Sequence, residues 1–233
     1  WQAPEAAFTA YGWSPQDDNE KHRYLAVLTA MDTNIGQILR RLDSLNLRDN
    51  TLVILISDMG AIFRPNCGLG VASNDPYRDA APTLYEGGVR VPAIFRWPGK
   101  IPAGRTTQAM LSHLDVLPLC LNAARITDAT DRIIDGKDPL PALAGEASSP
   151  HDRLFFSYGT ATAMREGSLK LLRTAESKPW ELYDLADDPA ESNNLATVRA
   201  TDTEKLAKRI TEWRASLALD ASKPERYKSA NSK

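Results

Sequence analysis

An aspartate that closes an apolar run is the first place where this sequence could gather chemistry. Thr51-Leu52-Val53-Ile54-Leu55-Ile56 ends in Ser57-Asp58-Met59-Gly60. A strand that delivers an acidic side chain at its carboxyl end, with glycine just beyond, has the ligand-side geometry of an open α/β sheet. The same Asp58 would also serve as a cap for a helix that follows the strand. A second constellation is Glu86-Gly87-Gly88-Val89-Arg90. Its glycines allow positive φ and Arg90 can pair with a carboxylate, which is a structural assignment. Of the three histidines, His113 falls on a short helical stretch, where a satisfied structural group is the ordinary outcome. His22 and His151 stand beside charged residues and read as solvated. Cys67 and Cys120 cannot form a disulfide framework and read as unrelated thiols, although one bridge is possible.

The elements that must position these groups follow from the apolar spacing. Residues 1–19, rich in Pro, Gly and Ala, have no period and read as loop. Tyr24, Leu28, Met31, Ile35, Ile38, Leu42 and Leu45 then recur at steps of three or four, the stripe of an amphipathic helix. Gly36 interrupts it, which predicts close packing on a neighbour. Leu52–Ile56 is apolar on both faces, like a central strand of a parallel sheet covered on each side by helices. Residues 60–84 form a long loop, and Val89–Phe95 reads as a second strand before Trp97-Pro98-Gly99. Residues 113–124 suit a short helix with Pro118 near its first turn. Beyond about residue 126 the pattern changes to short strands at 153–158, 168–173 and 180–185, consistent with an antiparallel sheet. Trp180 and Tyr183 fit its core better than a sugar-binding platform. Thr201-Asp-Thr-Glu204 reads as a capping box for a last helix that buries Leu206, Ile210, Trp213 and Leu217.

Composition sets the limits. The 233 residues are 42% hydrophobic and 25% charged with a net charge of −2. That balance gives no basis for a nucleic-acid surface, and the longest apolar run is strand-sized rather than membrane-spanning. The predicted fold is α/β: the end of a doubly wound sheet domain over residues 1–125, then a small α+β subdomain over residues 126–233 with an antiparallel sheet and a terminal helix. The chain opens at Trp1 without a methionine, a basic n-region or an apolar h-region, so it is expected to be a processed, excised or truncated piece.

Several segments, in order, resemble the sulfatases of the alkaline-phosphatase-like superfamily. Tyr24–Asp32 with Ile35-Gly36 resembles the helix before that family's metal strand. Asp49-Asn-Thr-Leu-Val-Ile-Leu-Ile-Ser-Asp58-Met-Gly60 resembles the strand itself. Tyr85-Glu-Gly-Gly-Val-Arg-Val-Pro92, with Trp97-Pro98-Gly99, is the most specific match. His113-Leu-Asp115 before Leu117-Pro118, then Asp135-Gly136, Leu169-Lys170-Leu171, Glu181–Leu185, Asp188–Glu191 and Asn194-Leu195 complete the series. The resemblance implies an alkaline-phosphatase-like fold and hydrolysis of sulfate esters. It implies a formylglycine made from a C/S-x-P-x-R motif as nucleophile, calcium held by carboxylates and an amide, and Lys and His groups that stabilise charge.

Little of that machinery maps onto this chain. Asp58 matches a metal-binding aspartate and is the one metal ligand assigned. The neighbouring position, usually Asn or His, is Met59, a soft thioether poorly suited to calcium. The lysine expected before the Glu-Gly-Gly motif falls at Ala81. Asn66, Asn74 and Arg78 lie in the loop where substrate groups would bind. Ser222-Lys-Pro224-Glu-Arg226 fits S-x-P-x-R formally, but its polar tail setting and the absence of a Thr-Gly continuation mark it as coincidence. The formylglycine site and first metal carboxylates are therefore expected outside this chain, and no catalytic residue is assigned within it. The leading expectation is a sulfatase fragment, inactive alone, whose partner is the missing half or a second copy. A non-catalytic homologue or assembly subunit is the first alternative, and a phosphoesterase of the same superfamily is the next. A periplasmic, secreted or lysosomal-type location is an expectation from resemblance.

Overall fold

The computed structural model describes residues 2–62, 70–126 and 133–221. Cys67, Asn66 and the Ser222–Arg226 segment lie outside the described residues. The chain divides into two compact units.

The first unit holds α1 (Glu5–Thr9), α2 (Glu20–Ser44), β1 (Val53–Ile56) and β2 (Ala93–Arg96). The expected loop at the start contains α1, because Ala7 and Phe8 bury against Ala26 of α2. Five residues are too few to display a period, which is why the helix was not visible in the spacing. Asn19 caps α2, its side-chain oxygen accepting from the N–H groups of Lys21 and His22. His22 is not solvated as expected. Its Nδ1 pairs with Asp17 at 2.6 Å and its ring stacks on Trp13 with centroids 3.8 Å apart. That hydrogen bond holds the Asp17 carboxyl below its ordinary range.

The apolar stripe of α2 is only partly covered, with Tyr24, Leu28, Ile35 and Leu42 half-buried. Met31, Ile38 and Leu45 are 49%, 61% and 47% exposed, and Ala26 is the helix's one buried residue. Gly36 is not explained by close packing either, since a Cβ there would meet just the Arg40 side chain, at 3.3 Å. β1 pairs with β2 in antiparallel register, Val53 opposite Arg96 and Ile56 opposite Ala93, rather than in the parallel arrangement read from its apolar run. The second strand starts later than expected, because Val89 ends a short helix, α3 (Glu86–Val89), of the second unit.

The second unit contains the Ser57–Gly60 turn, the Asn74–Val91 segment and the described chain from Thr106 onward. A 3₁₀ turn at His113–Asp115 leads into α4 (Val116–Ala123) with Pro118 in its first turn, followed by α5 (Leu140–Ala144). The sheet is an antiparallel meander of β3 (Arg153–Tyr158), β4 (Ala161–Glu166), β5 (Leu169–Arg173) and β6 (Glu181–Asp184). β4 was not read from the sequence, although Gly159 and Gly167, both at positive φ, mark the tight turns on either side of it.

The two faces of this sheet carry different cores. Met164, Leu171 and Leu182 pack under Leu206 and Ile210 of α6 (Ala200–Ala221). On the opposite face Ala163, Leu172 and Tyr183 pack with Leu84, Tyr85 and Leu185. Burying each large aliphatic group removes apolar area worth ~1.5–3 kcal/mol. α6 begins one residue before Thr201, so the expected capping box falls inside the first turn. Thr203 Oγ1 instead donates to the carbonyls of Ala196 and Arg199. Trp213 stacks on Phe155 as the helix face requires, but Leu217 is 49% exposed.

Candidate functional site

Asp58 sits on a turn whose shape is set by backbone contacts. Ser57 Oγ donates to the Met59 carbonyl at 2.8 Å. His113 Nε2 lies 2.7 Å from the Ser57 carbonyl, which can accept only, so this ring nitrogen carries a proton and His113 is engaged structurally. Gly60 N–H donates to the Gly88 carbonyl at 3.0 Å. A Cβ at Gly60 would fall 1.8 Å from the Gly87 carbonyl oxygen, so no other residue fits. Gly87 and Gly88 are constrained in the same way, with a Cβ 2.2 Å from the Asp79 oxygen and 2.1 Å from the Thr83 oxygen. Gly87 and Gly88 are required for close backbone approach rather than for the positive φ expected of them. On this support Asp58 and Met59 point outward and are exposed. Ala81 is 6% exposed, packed where the resemblance expects a lysine.

Behind the turn lies a buried ionic cluster. Glu86 is 3% exposed, and Lys170 and Glu191 are fully buried. Lys170 Nζ lies 2.9 Å from Glu86 Oε1 and 2.8 Å from Glu191 Oε1. Arg90 Nε donates to Glu86 Oε2 at 2.8 Å, the carboxylate pairing expected of Arg90. Glu191 Oε2 accepts from the Glu86 N–H at 2.6 Å. Two carboxylates and two cations thus neutralise each other. Burial pushes the Glu86 carboxyl up, but Lys170 and Arg90 outweigh it and hold it below its ordinary range. Burial dominates at Glu191 and raises its carboxyl, against the pull of Lys170.

Arg78 and Asn74, placed by sequence in the substrate loop, make structural bonds. Arg78 Nη1 donates to the Tyr183 hydroxyl and the Glu191 carbonyl, each at 2.9 Å, with its guanidinium 4.0 Å from the Tyr85 ring centroid. Asn74 Nδ2 donates to the Asp79 carbonyl at 3.1 Å. The Tyr85 hydroxyl donates to Glu181 Oε2 at 2.9 Å, and burial together with that carboxylate pushes the phenol up to about 12. Tyr183 is buried in the sheet core and Trp180 packs on the α6 side, where the sequence placed both.

His151 is the clearest correction. It is 8% exposed, and its Nε2 lies 2.7 Å from Asp115 Oδ1. Asp115 also accepts from the N–H groups of Lys137 at 2.9 Å and Ser112 at 2.8 Å. Proximity to charged neighbours in sequence predicted solvation, but the fold supplies a buried carboxylate from a distant segment. Lys170 was missed for a similar reason. Its alternation with Leu169 and Leu171 marks a strand, not the carboxylates that meet it.

A calcium ion takes roughly 6–8 oxygen ligands. Asp58 offers one carboxylate beside a thioether. Among the described residues no group of three or more His, Cys, Asp or Glu side chains converges as a metal site. The described residues do not make a calcium site by themselves. Cys120 is an exposed free thiol. Among the described residues no helix is long and apolar enough to cross a membrane.

Comparison with known proteins places these features. The Sulfatase family profile matches residues 1–126, and the profile for the carboxyl-terminal region of N-sulphoglucosamine sulphohydrolase matches residues 81–216. N-acetylgalactosamine-6-sulfatase of Canis lupus familiaris is 33% identical over 192 residues, 82% of this chain and 36% of its own length. Steryl-sulfatase of Rattus norvegicus is 40% identical over 134 residues, 56% of this chain and 23% of its own. The chain therefore spans about a third or less of these relatives. The crystal structure of Ps i-CgsB in complex with k-i-k-neocarrahexaose shares the fold at a TM-score of 0.78 and 24% identity, covering 91% of this chain and 46% of that one. With the family profile covering more than half of the sequence, the chain belongs to the sulfatase family.

Proposed function

We propose that this chain supplies the carboxyl-terminal part of a sulfuric ester hydrolase and is catalytically incomplete by itself. Asp58 would be one ligand of a calcium ion that, when bound, neutralises the sulfate oxygens. The formylglycine nucleophile and the remaining metal ligands would come from polypeptide outside this sequence. The observation that carries the reading is the Asp58 turn. An exposed carboxylate stands at the end of the family's metal strand, on a glycine support that admits no other residue at position 60. Two further observations agree. The chain spans 36% of the dog relative, and the α2 stripe and β1–β2 pair present apolar side chains, Ile38 and Ile94 among them, to solvent. A two-stranded sheet is marginal in isolation, so this region gains from a covering layer. A periplasmic, secreted or lysosomal-type setting is part of the same proposal and rests on the resemblance to the sulfatases alone.

A non-catalytic subunit is the second reading, and Met59 and Ala81 favour it. Ala81 is buried, so the substitution removes a positive charge from a packed position rather than from a mobile surface.

Calcium titration by calorimetry of the purified chain and of Asp58→Ala, with an aryl sulfate turnover assay alongside, tests both. Weak calcium binding that disappears in Asp58→Ala, with no turnover, is the expected result. Metal-dependent turnover by the chain alone overturns the incompleteness. Absence of calcium binding moves the assembly reading to first place.

A further inference from the structure

The residues that shape the Asp58 turn lie far from it in sequence. Glu86 opens α3, and its two successors carry the carbonyls that meet Gly60. Arg90, just past α3, holds Glu86 Oε2, and the remaining contacts come from the sheet end of the unit. Lys170 of β5 holds Oε1, and Glu191 holds the Glu86 backbone N–H through Oε2. The same Glu191 accepts Arg78 Nη1 at its own carbonyl, and the Arg78 carbonyl in turn accepts the Gly87 N–H at 2.8 Å. Glu191 therefore reaches the Gly87–Gly88 pair by two routes, one through Glu86 and one through Arg78. It does so from a positive-φ conformation, φ 52°, uncommon for a residue with a side chain.

We propose that Glu191 and Lys170 are positioning residues for the Asp58 turn, acting through Glu86, Gly87 and Gly88 on Gly60. Neither touches Asp58. A buried set of two carboxylates and two cations is a poor source of net stability, because apolar residues of similar volume often do as well. Its advantage is direction. Each bond in the chain from Lys170 to Gly60 is short and angle-dependent, whereas an apolar plug would let the Gly-Gly backbone slide. A sub-ångström slide matters here, because the Gly87 carbonyl packs so near Gly60 that even a Cβ there would fall 1.8 Å from its oxygen. The proposal that this turn presents a metal ligand rests on the reading of Asp58 given above.

Amide hydrogen exchange on the full chain tests the positioning without relying on that reading. Glu191→Ala removes both carboxylate contacts. It is compared with Leu182→Ala, which weakens the α6 side of the sheet and touches no member of the chain. At matched global stability, set by small additions of urea, the Gly60 amide is expected to exchange about tenfold faster in Glu191→Ala than in Leu182→Ala. Glu191→Gln keeps one oxygen for the Glu86 N–H but turns its NH2 toward Lys170, so it should restore part of the protection. That variant also decides the matter if the alanine form fails to fold, since Gln loses the Lys170 contact while keeping the Glu86 one and should show a smaller, Gly60-centred acceleration. Gly60 exchange that tracks global stability equally in all variants overturns the proposal. Calcium titration of the same proteins separates the two readings. If the wild-type chain binds calcium, affinity should fall about tenfold with Glu191→Ala, in step with Gly60 exchange. If it does not, the assignment of Asp58 fails while the exchange result still stands or falls alone.

Discussion

α2 and α6 are both long amphipathic helices with apolar residues at steps of three and four, yet they meet different fates. Leu206 and Ile210 of α6 are 2% and 1% exposed, because Met164, Leu171 and Leu182 of the sheet lie against them. Met31 and Ile38 of α2 are 49% and 61% exposed. The same contrast holds for the strands. The four-stranded meander has a covered face on each side, while Leu55 of β1 and Ile94 of β2 are exposed. Charges follow suit. The second unit buries Lys170 between Glu86 and Glu191, whereas the first unit's Arg96–Asp43 pair is 3.7 Å long and partly solvated. Periodicity therefore identifies an element, but a partner layer decides whether its apolar face becomes a core. One unit of this chain contains its partner layers, and the other leaves part of its helix stripe and of its strand faces exposed.

The ion pairs should show the widest gap between the units. Lys170→Met leaves two carboxylates facing each other in a dry site, and breaking a buried pair in this way costs about 3–5 kcal/mol. Asp43→Asn, acting on the solvated Arg96 pair, should change stability by no more than ~1 kcal/mol. Urea unfolding of both variants measures the difference. A Lys170→Met loss as small as that of Asp43→Asn would mean that the second unit's cluster is wetter than its burial implies.

Apolar truncation probes the same contrast through packing. Leu182→Ala opens a cavity in the α6 core and should cost about 2–5 kcal/mol. Ile38→Ala removes a side chain already mostly in water and should stay within ~0.5 kcal/mol. Equal losses in thermal or urea unfolding would show that the α2 stripe is covered in solution, for example by a second copy of the chain.

Against this background it is clear why the sequence was legible in some places and not in others. The apolar run located β1, the local pattern located the short helix at Pro118, and the Glu-Gly-Gly segment stood out because its residues are tied to backbone geometry that few alternatives satisfy. Gly60, Gly87 and Gly88 are the plainest case, each excluded from bearing a Cβ by a carbonyl within about two ångströms. What could not be read is whatever depends on a distant partner. His151 looked solvated because its neighbours in sequence are charged, and only the fold brings Asp115 to it. Lys170 looked like one polar position on a strand until Glu86 and Glu191 met it. The antiparallel partner of β1 was equally invisible, since an apolar run reports burial and not strand direction. Asp58 stands between these cases. Its turn was legible, but the atoms that would complete a metal site are not among the described residues.

The smallest effect separates two meanings of a helical glycine. Gly36 lies in the interior of α2, where glycine costs up to ~1 kcal/mol against alanine through backbone entropy. If close packing required glycine here, a methyl group would collide with a neighbouring element. The nearest atom a Cβ there would meet is instead Arg40 Nη1 at 3.3 Å, the far end of a flexible side chain on the same helix. Gly36→Ala should therefore stabilise the chain by about 0.5–1 kcal/mol, read as a small upward shift of the urea midpoint with unchanged slope. A destabilising result would mean that another polypeptide packs against this face of α2 in solution. The first unit would then resemble the second more closely than its exposed side chains suggest.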